Sequence, residues 1–352
     1  MCIIKTTSRR CNQSSIIMKI ELLKQKMLEE KLDRSYIDLC YLYAFNLNKK
    51  KFPIIFDFKH FSKLLGIDTK ELYGYYSIKS LLYKEIFIPK KTGGVRLINA
   101  PSENLKFIQR WLLDNILKNF SCSEYATGFL DNKSIVDNAK KHINKECIIN
   151  LDIKDFFPSI KINQVYNIFR QFGYTKHLSL IFAGFTTFKD VLPQGSPASP
   201  YLSNITCFNL DKRLGKLANK INADYSRYAD DITFSGNKEI SKYIPVIKNI
   251  VKDEKFNVNE KKLRVHYKYH RQMVTGIIVN KKLSVPKKTK HYLRQQIYYC
   301  KKFGVDKNML NQGFDKSNFK GYLFGIANFV KMVEPEIGLN FIKELEKINW
   351  DS

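Results

Sequence analysis

The tetrapeptide Tyr228-Ala229-Asp230-Asp231 restricts the fold of this chain more than any other feature of the sequence. It lies between two strand-like runs, residues 223–227 and 232–235, and so predicts a hairpin whose tip carries two adjacent carboxylates. Adjacent residues of a strand face opposite sides, so both carboxylates can approach one ion only where the chain bends. Paired acids in turns are usually solvated or cap a backbone amide. A metal-binding interpretation therefore depends on further acids elsewhere in the chain.

A third carboxylate lies near the end of a predicted buried strand. Residues 147–153 are apolar and β-branched, and Asp152 stands close to their C-terminal end. A buried carboxylate is costly unless its desolvation is offset, and a divalent cation would offset it. Three acids on two strands suffice for a site of two metal ions about 4 Å apart, with Asp230 expected to be a stronger ligand than Asp231. The alternative is that Asp152 only caps a helix starting near Pro158.

The charge of the chain indicates a polyanionic partner. Its 352 residues include 60 Lys and Arg against 33 Asp and Glu, a formal net charge of +27. Each phosphate that a cation neutralises releases condensed counterions, which favours nucleic acid as the partner. An anionic membrane is the alternative, and it is disfavoured because the sequence has neither a sustained basic amphipathic helix nor an apolar run of about 18 residues. We find no secretory signal and expect a cytoplasmic protein.

The cysteines and histidines do not form a metal site. The seven cysteines are scattered and never paired as C-x-x-C, which argues against a disulfide framework and a zinc module. A bound metal would therefore have oxygen ligands, which favours Mg²⁺ or Mn²⁺.

The pattern of elements predicts an α+β fold. Residues up to about 80 are expected to be helical, and short strands at 83–88 and 95–98 flank a glycine turn. A helix is expected from about Ser102 to Phe120, with Ser102 as its cap. From Cys147 strands and helices are mixed, and beyond Pro286 the chain is expected to be helical to its end.

Four motifs that occur in order resemble the reverse transcriptases, in particular their bacterial, retron and group II intron branch. They are Phe-Ile-Pro-Lys-Lys-x-Gly-Gly-x-Arg at 87–96, Leu-Asp-Ile-Lys-Asp-Phe-Phe-Pro-Ser at 151–159, Leu-Pro-Gln-Gly-Ser-Pro-x-Ser-Pro at 192–200 and Tyr-Ala-Asp-Asp at 228–231. The resemblance covers about residues 83–280 and implies a right-hand polymerase fold. The implied parts are an N-terminal helical extension (1–80), fingers (81–147), a palm (148–281) with a fingers insertion near 176–193, and a helical thumb that recognises RNA (282–352).

The resemblance also implies the catalytic site. Asp152, Asp230 and Asp231 would be the catalytic residues. Together with Ile153 they would hold two Mg²⁺ ions, with Mn²⁺ as a substitute, and would activate a primer hydroxyl and stabilise the departing pyrophosphate. The implied nucleotide-binding residues are Lys90, Arg96, Phe157, Gln194, Gly195 and Lys262.

These nucleotide-binding residues have separate implied roles. Lys90 and Arg96 would grip the incoming triphosphate, although solvated charges on a turn are the alternative. Phe157 would abut C2′ of the sugar and select deoxynucleotides, with core packing beside Phe156 as the alternative. Gln194 and Gly195, in a Pro- and Gly-rich loop ahead of a helix expected over about Ser199 to Leu217, would lie along the nucleotide and template. Asn259 and Lys262 match the motif whose lysine protonates pyrophosphate.

Two short motifs favour the retron type. Asn138-Ala139-Lys140-Lys141-His142 matches Asn-Ala-x-x-His, and Val274-Thr275-Gly276 matches the second retron hallmark. A polar helix face and a bend in a strand are the respective alternatives. The resemblance assigns RNA or primer binding to both motifs and to the basic start of the thumb, where a solvated basic helix is the alternative. These residues are Asn138, His142, Val274, Thr275, Gly276, Lys287, Lys288 and Arg294.

A retron enzyme would copy part of a cognate non-coding RNA of msr–msd type. It would polymerise dNTPs with a guanosine 2′-hydroxyl of the RNA as the primer, and the product would be branched, RNA-linked single-stranded DNA (msDNA). The family implies a role in anti-phage defence with an effector protein encoded nearby, and no membrane partner. Two alternatives stay open: a group II intron or diversity-generating reverse transcriptase, and an RNA-binding polymerase fold without turnover. The sequence has no Cys or His pairs typical of an appended endonuclease, which favours the retron type.

Overall fold

The structure is a computed structural model that describes residues 11–89, 93–310 and 316–350. Lys90 lies outside these residues. The helices are α1 Cys11–Glu29, α2 Arg34–Lys49, α3 Phe58–Leu65, α4 Thr69–Ser77, α5 Glu103–Asn115, α6 Ile135–Lys140, α7 Phe156–Ser159, α8 Ile162–Phe172, α9 Lys176–Thr186, α10 Ser199–Thr206, α11 Phe208–Lys220, α12 Ile244–Asp253, α13 Lys287–Phe303, α14 Val305–Leu310, α15 Lys316–Val333 and α16 Pro335–Glu346. The strands are β1 Tyr83–Pro89, β2 Val95–Pro101, β3 Cys147–Asp152, β4 Asp224–Tyr228, β5 Asp231–Gly236, β6 Arg264–Tyr267, β7 Met273–Val274 and β8 Ile277–Ile278.

The chain divides into two compact units. The first comprises the described residues up to Cys122 together with Asp155–Phe208, and the second comprises Ser123–Lys154 together with the described residues from Asn209 onward. Both units combine helices with antiparallel strands, so the predicted α+β class is confirmed.

In the first unit the β1–β2 hairpin runs from the pair Tyr83 and Pro101 to the pair Pro89 and Val95. The Ser102 hydroxyl accepts the N–H of Leu105, which confirms the predicted cap of α5. The helix ends at Asn115, earlier than predicted, and residues 117–119 form a tighter 3₁₀ turn. The helix expected over 199–217 is likewise two helices, α10 and α11, which meet at Cys207. The core of this unit is rich in buried aromatic rings, among them Phe61, Phe169, Tyr174, Phe182 and Phe185.

The second unit contains a four-stranded antiparallel sheet in the order β4-β5-β3-β6. The apolar run that predicts a buried strand forms β3, whose residues are buried except for the half-buried Asn150. Strand β3 lies between β5 and β6, and Asp152 is its last residue. The Asp152 carboxylate therefore lies at the C-terminal end of an inner strand of the sheet.

The C-terminal part of this unit is helical, as predicted. Helices α13, α15 and α16 pack around a shared apolar core with the short β7–β8 hairpin, and its buried members include Leu293, Phe319, Leu323 and Leu345. Among the described residues, no helix combines the length and the apolar character that crossing a bilayer requires.

Candidate active site

The three predicted acids meet at one end of the sheet. The register pairs Asp152 of β3 with Asp231 of β5, so their side chains start from directly opposed positions. Tyr228 pairs with Asp231 across the predicted hairpin, which leaves Ala229 and Asp230 as the turn. Ala229 has φ +57°, a left-handed conformation that bends the chain. One carboxylate oxygen from each of the three aspartates lies within 4.8 Å of the others.

Backbone hydrogen bonds hold the peptides around these acids. The Ile153 N–H donates to the Asp230 carbonyl at 2.9 Å, and the Asn259 N–H donates to the Asp152 carbonyl at 2.8 Å. The buried Ile153 side chain is a hydrocarbon without a donor atom, so only the backbone carbonyl oxygen of this residue has the chemistry of a metal ligand. Asp152 precedes α7 by several residues and does not cap it, because Asp155 occupies the N-cap position.

The electrostatics of the site fit a divalent cation. Asp231 is partly exposed, but the surrounding protein atoms still desolvate its carboxylate. This desolvation, together with repulsion from Asp230 and Asp152, raises the pKa of Asp231 to about 6. Lys262 partly offsets the negative charge, since its Nζ lies 2.7 Å from Asp152 Oδ2, and this contact raises the pKa of the lysine. The Asn259 amide adds a long hydrogen bond of 3.4 Å to Asp152 Oδ1. Three converging carboxylates with oxygen ligands only are a donor set for a hard ion such as Mg²⁺ or Mn²⁺.

A buried ion pair contacts the Ala229–Asp230 turn, and the sequence did not predict this pair. Arg227 and Asp211 are both fully buried and form a two-pronged pair, with Nε–Oδ1 at 2.8 Å and Nη2–Oδ2 at 2.7 Å. Arg227 Nη1 also donates to the Ala229 carbonyl at 3.0 Å, and the Tyr225 hydroxyl donates to Asp211 Oδ1 at 2.7 Å. The guanidinium thus contacts the residue that bends the chain just before Asp230. The sequence signal that could have found the pair is an arginine within the run 223–227 that predicts a strand.

The Asn-Ala-x-x-His motif lies inside the second unit. His142 joins strands β4 and β5 of the hairpin, with Nε2 2.7 Å from the Ser226 hydroxyl and Nδ1 2.6 Å from the Ser235 hydroxyl. Burial lowers the pKa of His142 to about 3, so the ring is neutral. Asn138 Oδ1 accepts the hydroxyl of Thr127, whose own N–H donates to the Arg227 carbonyl. Both motif side chains are 0% exposed, and their predicted RNA binding stays a prediction.

The Val-Thr-Gly motif forms the turn of the β7–β8 hairpin. Val274 is buried, and Thr275 and Gly276 have φ +46° and +83°. Such a conformation is rare for a β-branched residue. The Thr275 hydroxyl donates to the Ile135 carbonyl at 3.1 Å, and Ile135 is the first residue of α6. The fold therefore brings the two short motifs together, although they are far apart in the sequence.

The remaining predicted nucleotide-binding residues belong to the first unit. The Gln194 carbonyl accepts the N–H of Asn99 in β2 at 2.7 Å. Gly195 has φ +132°, and a Cβ at this position would lie 2.5 Å from the Asn99 carbonyl oxygen, so the loop requires glycine here. Arg96 is exposed on β2. Phe157 is half-buried with its ring centroid 5.5 Å from that of Phe156.

The cations that the sequence assigns to RNA binding in the predicted thumb lie on α13. Lys287, Lys288 and Arg294 are exposed, and the two lysines line an open groove with His291, Tyr292 and Gln295. The Arg294 guanidinium lies over the ring of Phe341, with 5.7 Å from Cζ to the ring centroid. Helix α13 therefore presents lysine side chains and the ring of Tyr292 along the same groove.

The chain is similar in sequence to known reverse transcriptases. A family profile described as reverse transcriptase (RNA-dependent DNA polymerase) matches residues 88–297. The Retron Ec86 reverse transcriptase of Escherichia coli is 32% identical over 264 residues, which is 74% of this chain and 82% of that protein. The Retron Mx162 reverse transcriptase of Myxococcus xanthus is 32% identical over 299 residues, but the match spans only 60% of that longer protein. Among solved structures, a telomerase from Candida albicans aligns with 79% of this chain and 67% of its own, with TM-score 0.43 and 13% identity.

Proposed function

This chain belongs to the reverse transcriptases, and within them to the retron type, and on that premise we propose that it copies part of a cognate non-coding RNA into branched, RNA-linked DNA. As a member of this family it is an RNA-directed DNA polymerase with the right-hand polymerase fold. The observation that carries the proposal is the convergence of Asp152, Asp230 and Asp231 within 4.8 Å at the end of the sheet.

Asp152, Asp230 and Asp231 would hold two Mg²⁺ ions, with the backbone oxygen of Ile153 as a further ligand and Mn²⁺ as a substitute ion. Bound ions of this kind lower the pKa of an attacking hydroxyl and offset the charge that develops on a leaving group. Lys262 is a cation beside the same acids, and it would donate a proton to the departing pyrophosphate oxygen.

The first unit would bind the incoming dNTP. Arg96 of β2, together with Lys90, which lies outside the described residues, would grip the triphosphate, since paired cations suit this ligand. The half-buried Phe157 ring would exclude a ribose 2′-hydroxyl. Gln194 and Gly195 form a loop bonded to β2, and that loop would lie along the nucleotide and template.

The retron motifs support the choice of RNA substrate. Thr275 and Gly276 at the β7–β8 turn would contact the primer or RNA, with Val274 as their buried anchor. Asn138 and His142 would support RNA binding in the same region, since α6 is bonded to that turn. The exposed cations Lys287, Lys288 and Arg294 would neutralise phosphates of the structured msr–msd type RNA.

Synthesis would begin at a guanosine 2′-hydroxyl within the RNA and give msDNA. By analogy with its family, the enzyme would act in anti-phage defence with an effector protein encoded nearby.

The branch point gives the proposal a direct test. The protein is purified from cells that express it together with the adjacent non-coding RNA, and the co-purified nucleic acid is treated with debranching enzyme before sequencing. We expect DNA that separates from RNA only after this treatment, and the Asp230→Asn protein should carry the RNA without DNA. DNA that is linear before treatment would instead indicate a group II intron or diversity-generating type of reverse transcriptase. RNA without DNA in the wild-type protein would indicate a fold without turnover.

A further inference from the structure

An exposed loop of alternating aromatic and basic residues follows β6. Residues 267–271 read Tyr-Lys-Tyr-His-Arg, and we name them the tyrosine loop. Tyr269 is 75% exposed, yet its ring stacks on that of Tyr267 with a centroid distance of 5.8 Å and an interplanar angle of 16°. The centroid of the His270 ring lies 4.7 Å from that of the Tyr269 ring. The Tyr269 ring is thus exposed to solvent and is stacked on one neighbouring ring, that of Tyr267.

Amide side chains fix the backbone of the tyrosine loop. Asn280 Nδ2 donates to the carbonyls of Lys268 and His270 at 3.1 and 2.7 Å. Asn280 Oδ1 accepts the N–H of Gln272 at 2.9 Å. The Gln272 side chain, which is fully buried, donates to the carbonyls of Lys145 and His266. Because the loop is already ordered, a ligand that docks on it does not bear the usual entropy cost of ordering a loop.

The surroundings of the tyrosine loop are cationic. Lys268 and Arg271 are exposed within it, Arg264 is exposed on β6, and Asn280 ties the loop to the segment that continues into Lys281 and Lys282. Burial, followed by repulsion from Arg264, His270 and Arg271, lowers the pKa of His266. Glu146, whose backbone carbonyl accepts the N–H of Lys268, is an acid beside the loop, and its carboxylate accepts the N–H of Lys238.

We propose that the tyrosine loop is a binding platform for single-stranded nucleic acid, in which a base stacks on Tyr269 while Lys268 and Arg271 neutralise the flanking phosphates. Aromatic rings beside cations suit this ligand because every base has a π face and every nucleotide carries a phosphate. Tyrosine and arginine also occur at the centres of protein interfaces, but lysine is depleted there, so Lys268 beside the rings favours a phosphate-bearing ligand. The proposal rests on the proposed function, which requires a single-stranded template and yields a single-stranded product.

Binding of a short fluorescent oligo(dT), which has no stable secondary structure, tests this proposal on the full-length protein. Tyr269→Ala should weaken binding about tenfold, because loss of one stacked base costs roughly 1–3 kcal/mol. Tyr269→Phe keeps the ring and should bind like the wild type. Tyr73→Ala is the matched control, because Tyr73 is a 65% exposed tyrosine of the first unit.

The salt dependence separates stacking from charge. Arg271→Ala should lower the slope of log K against log salt by about one, whereas Tyr269→Ala should leave that slope unchanged. Photocrosslinking with a 5-bromodeoxyuridine oligonucleotide should label the peptide that contains Tyr269.

Unchanged oligo(dT) affinity in Tyr269→Ala, or crosslinks confined to other peptides, would overturn the proposal. The binding assay needs no polymerisation, so its result is independent of whether the protein extends a primer. The substitutions lie in an exposed loop, and an unchanged melting temperature confirms that each variant is folded.

Discussion

At the scale of single residues, the turn that carries Asp230 is held by a fully buried ion pair. Arg227 reaches the Ala229 carbonyl, and Asp211 holds the guanidinium in place through two hydrogen bonds. A buried pair of this kind is not a large source of stability, but removing one partner leaves an uncompensated buried charge. Its value here is geometric, because Ala229 sets the position of Asp230.

Substitution of Asp211 tests this arrangement. Asp211→Asn should lower the free energy of unfolding by about 3–5 kcal/mol, as for other broken buried pairs. It should also lower kcat for primer extension about a hundredfold under conditions in which the variant is folded, because displaced catalytic groups are poorly placed for reaction. The control is Asp253→Asn, which removes an exposed partner of Arg213. Equal effects of the two substitutions on unfolding and on kcat would contradict this role for Arg227.

His142 makes the stability of the protein depend on pH. Its pKa in the folded state is about 3, against an ordinary value of 6.5, so the unfolded chain binds a proton that the folded chain does not. The stabilisation is present above pH 6.5 and is lost as the pH falls towards 3, by up to about 1.4 kcal/mol per pH unit. His142→Gln should therefore reduce the dependence of unfolding free energy on pH in this window, measured by urea denaturation. The exposed His177, changed to Gln, should leave that dependence as it is in the wild type.

At the scale of elements, the Gln194–Gly195 loop is held against β2 by its backbone. The Gln194 carbonyl accepts the N–H of Asn99, and the close approach of the Asn99 carbonyl leaves no room for a Cβ at residue 195. Glycine is therefore required for both the conformation and the contact.

Gly195→Ala should destabilise the protein by at least about 1–3 kcal/mol, because φ near +132° is strained for any residue with a side chain. Gly74→Ala is the matched control. Gly74 lies inside α4, and its added methyl would meet no atom of the described residues within 4 Å. That substitution should stabilise the protein by about 0.5–1 kcal/mol. Chemical denaturation compares the two, and similar midpoints would show that the loop does not need glycine.

Elements with strong local signals could be predicted from the sequence. The apolar run 147–153 and the hairpin around Asp230 formed where predicted, because strand pattern and turn chemistry are local properties. The pairing of Asp211 with Arg227 and of Lys262 with Asp152 could not be predicted, since it depends on how distant segments pack. The burial of His142 could not be predicted for a related reason: a polar residue in the turn after a short helix is usually exposed, and only the packing of β4 and β5 against it makes it buried.

At the scale of the whole molecule, charge determines how the enzyme meets its substrates. A formal net charge of +27 attracts any polyanion, so the net charge alone does not distinguish one nucleic acid from another. This excess also predicts binding that is sensitive to salt.

The affinity of the full-length protein for its RNA should fall about a thousandfold or more between 50 and 200 mM salt, as expected for six to ten neutralised phosphates. The measurement is a series of binding titrations at increasing KCl concentration. A nearly flat dependence would mean that few of the cations contact phosphate.

Primer extension on an RNA template with dNTPs is the most direct test of the central claim, that Asp152, Asp230 and Asp231 form the metal-dependent polymerisation site. The wild-type protein should extend the primer with Mg²⁺ and stop when the ion is chelated. Asp230→Asn should abolish incorporation while RNA affinity stays unchanged. Incorporation by Asp230→Asn at the wild-type rate would contradict the assignment of the active site.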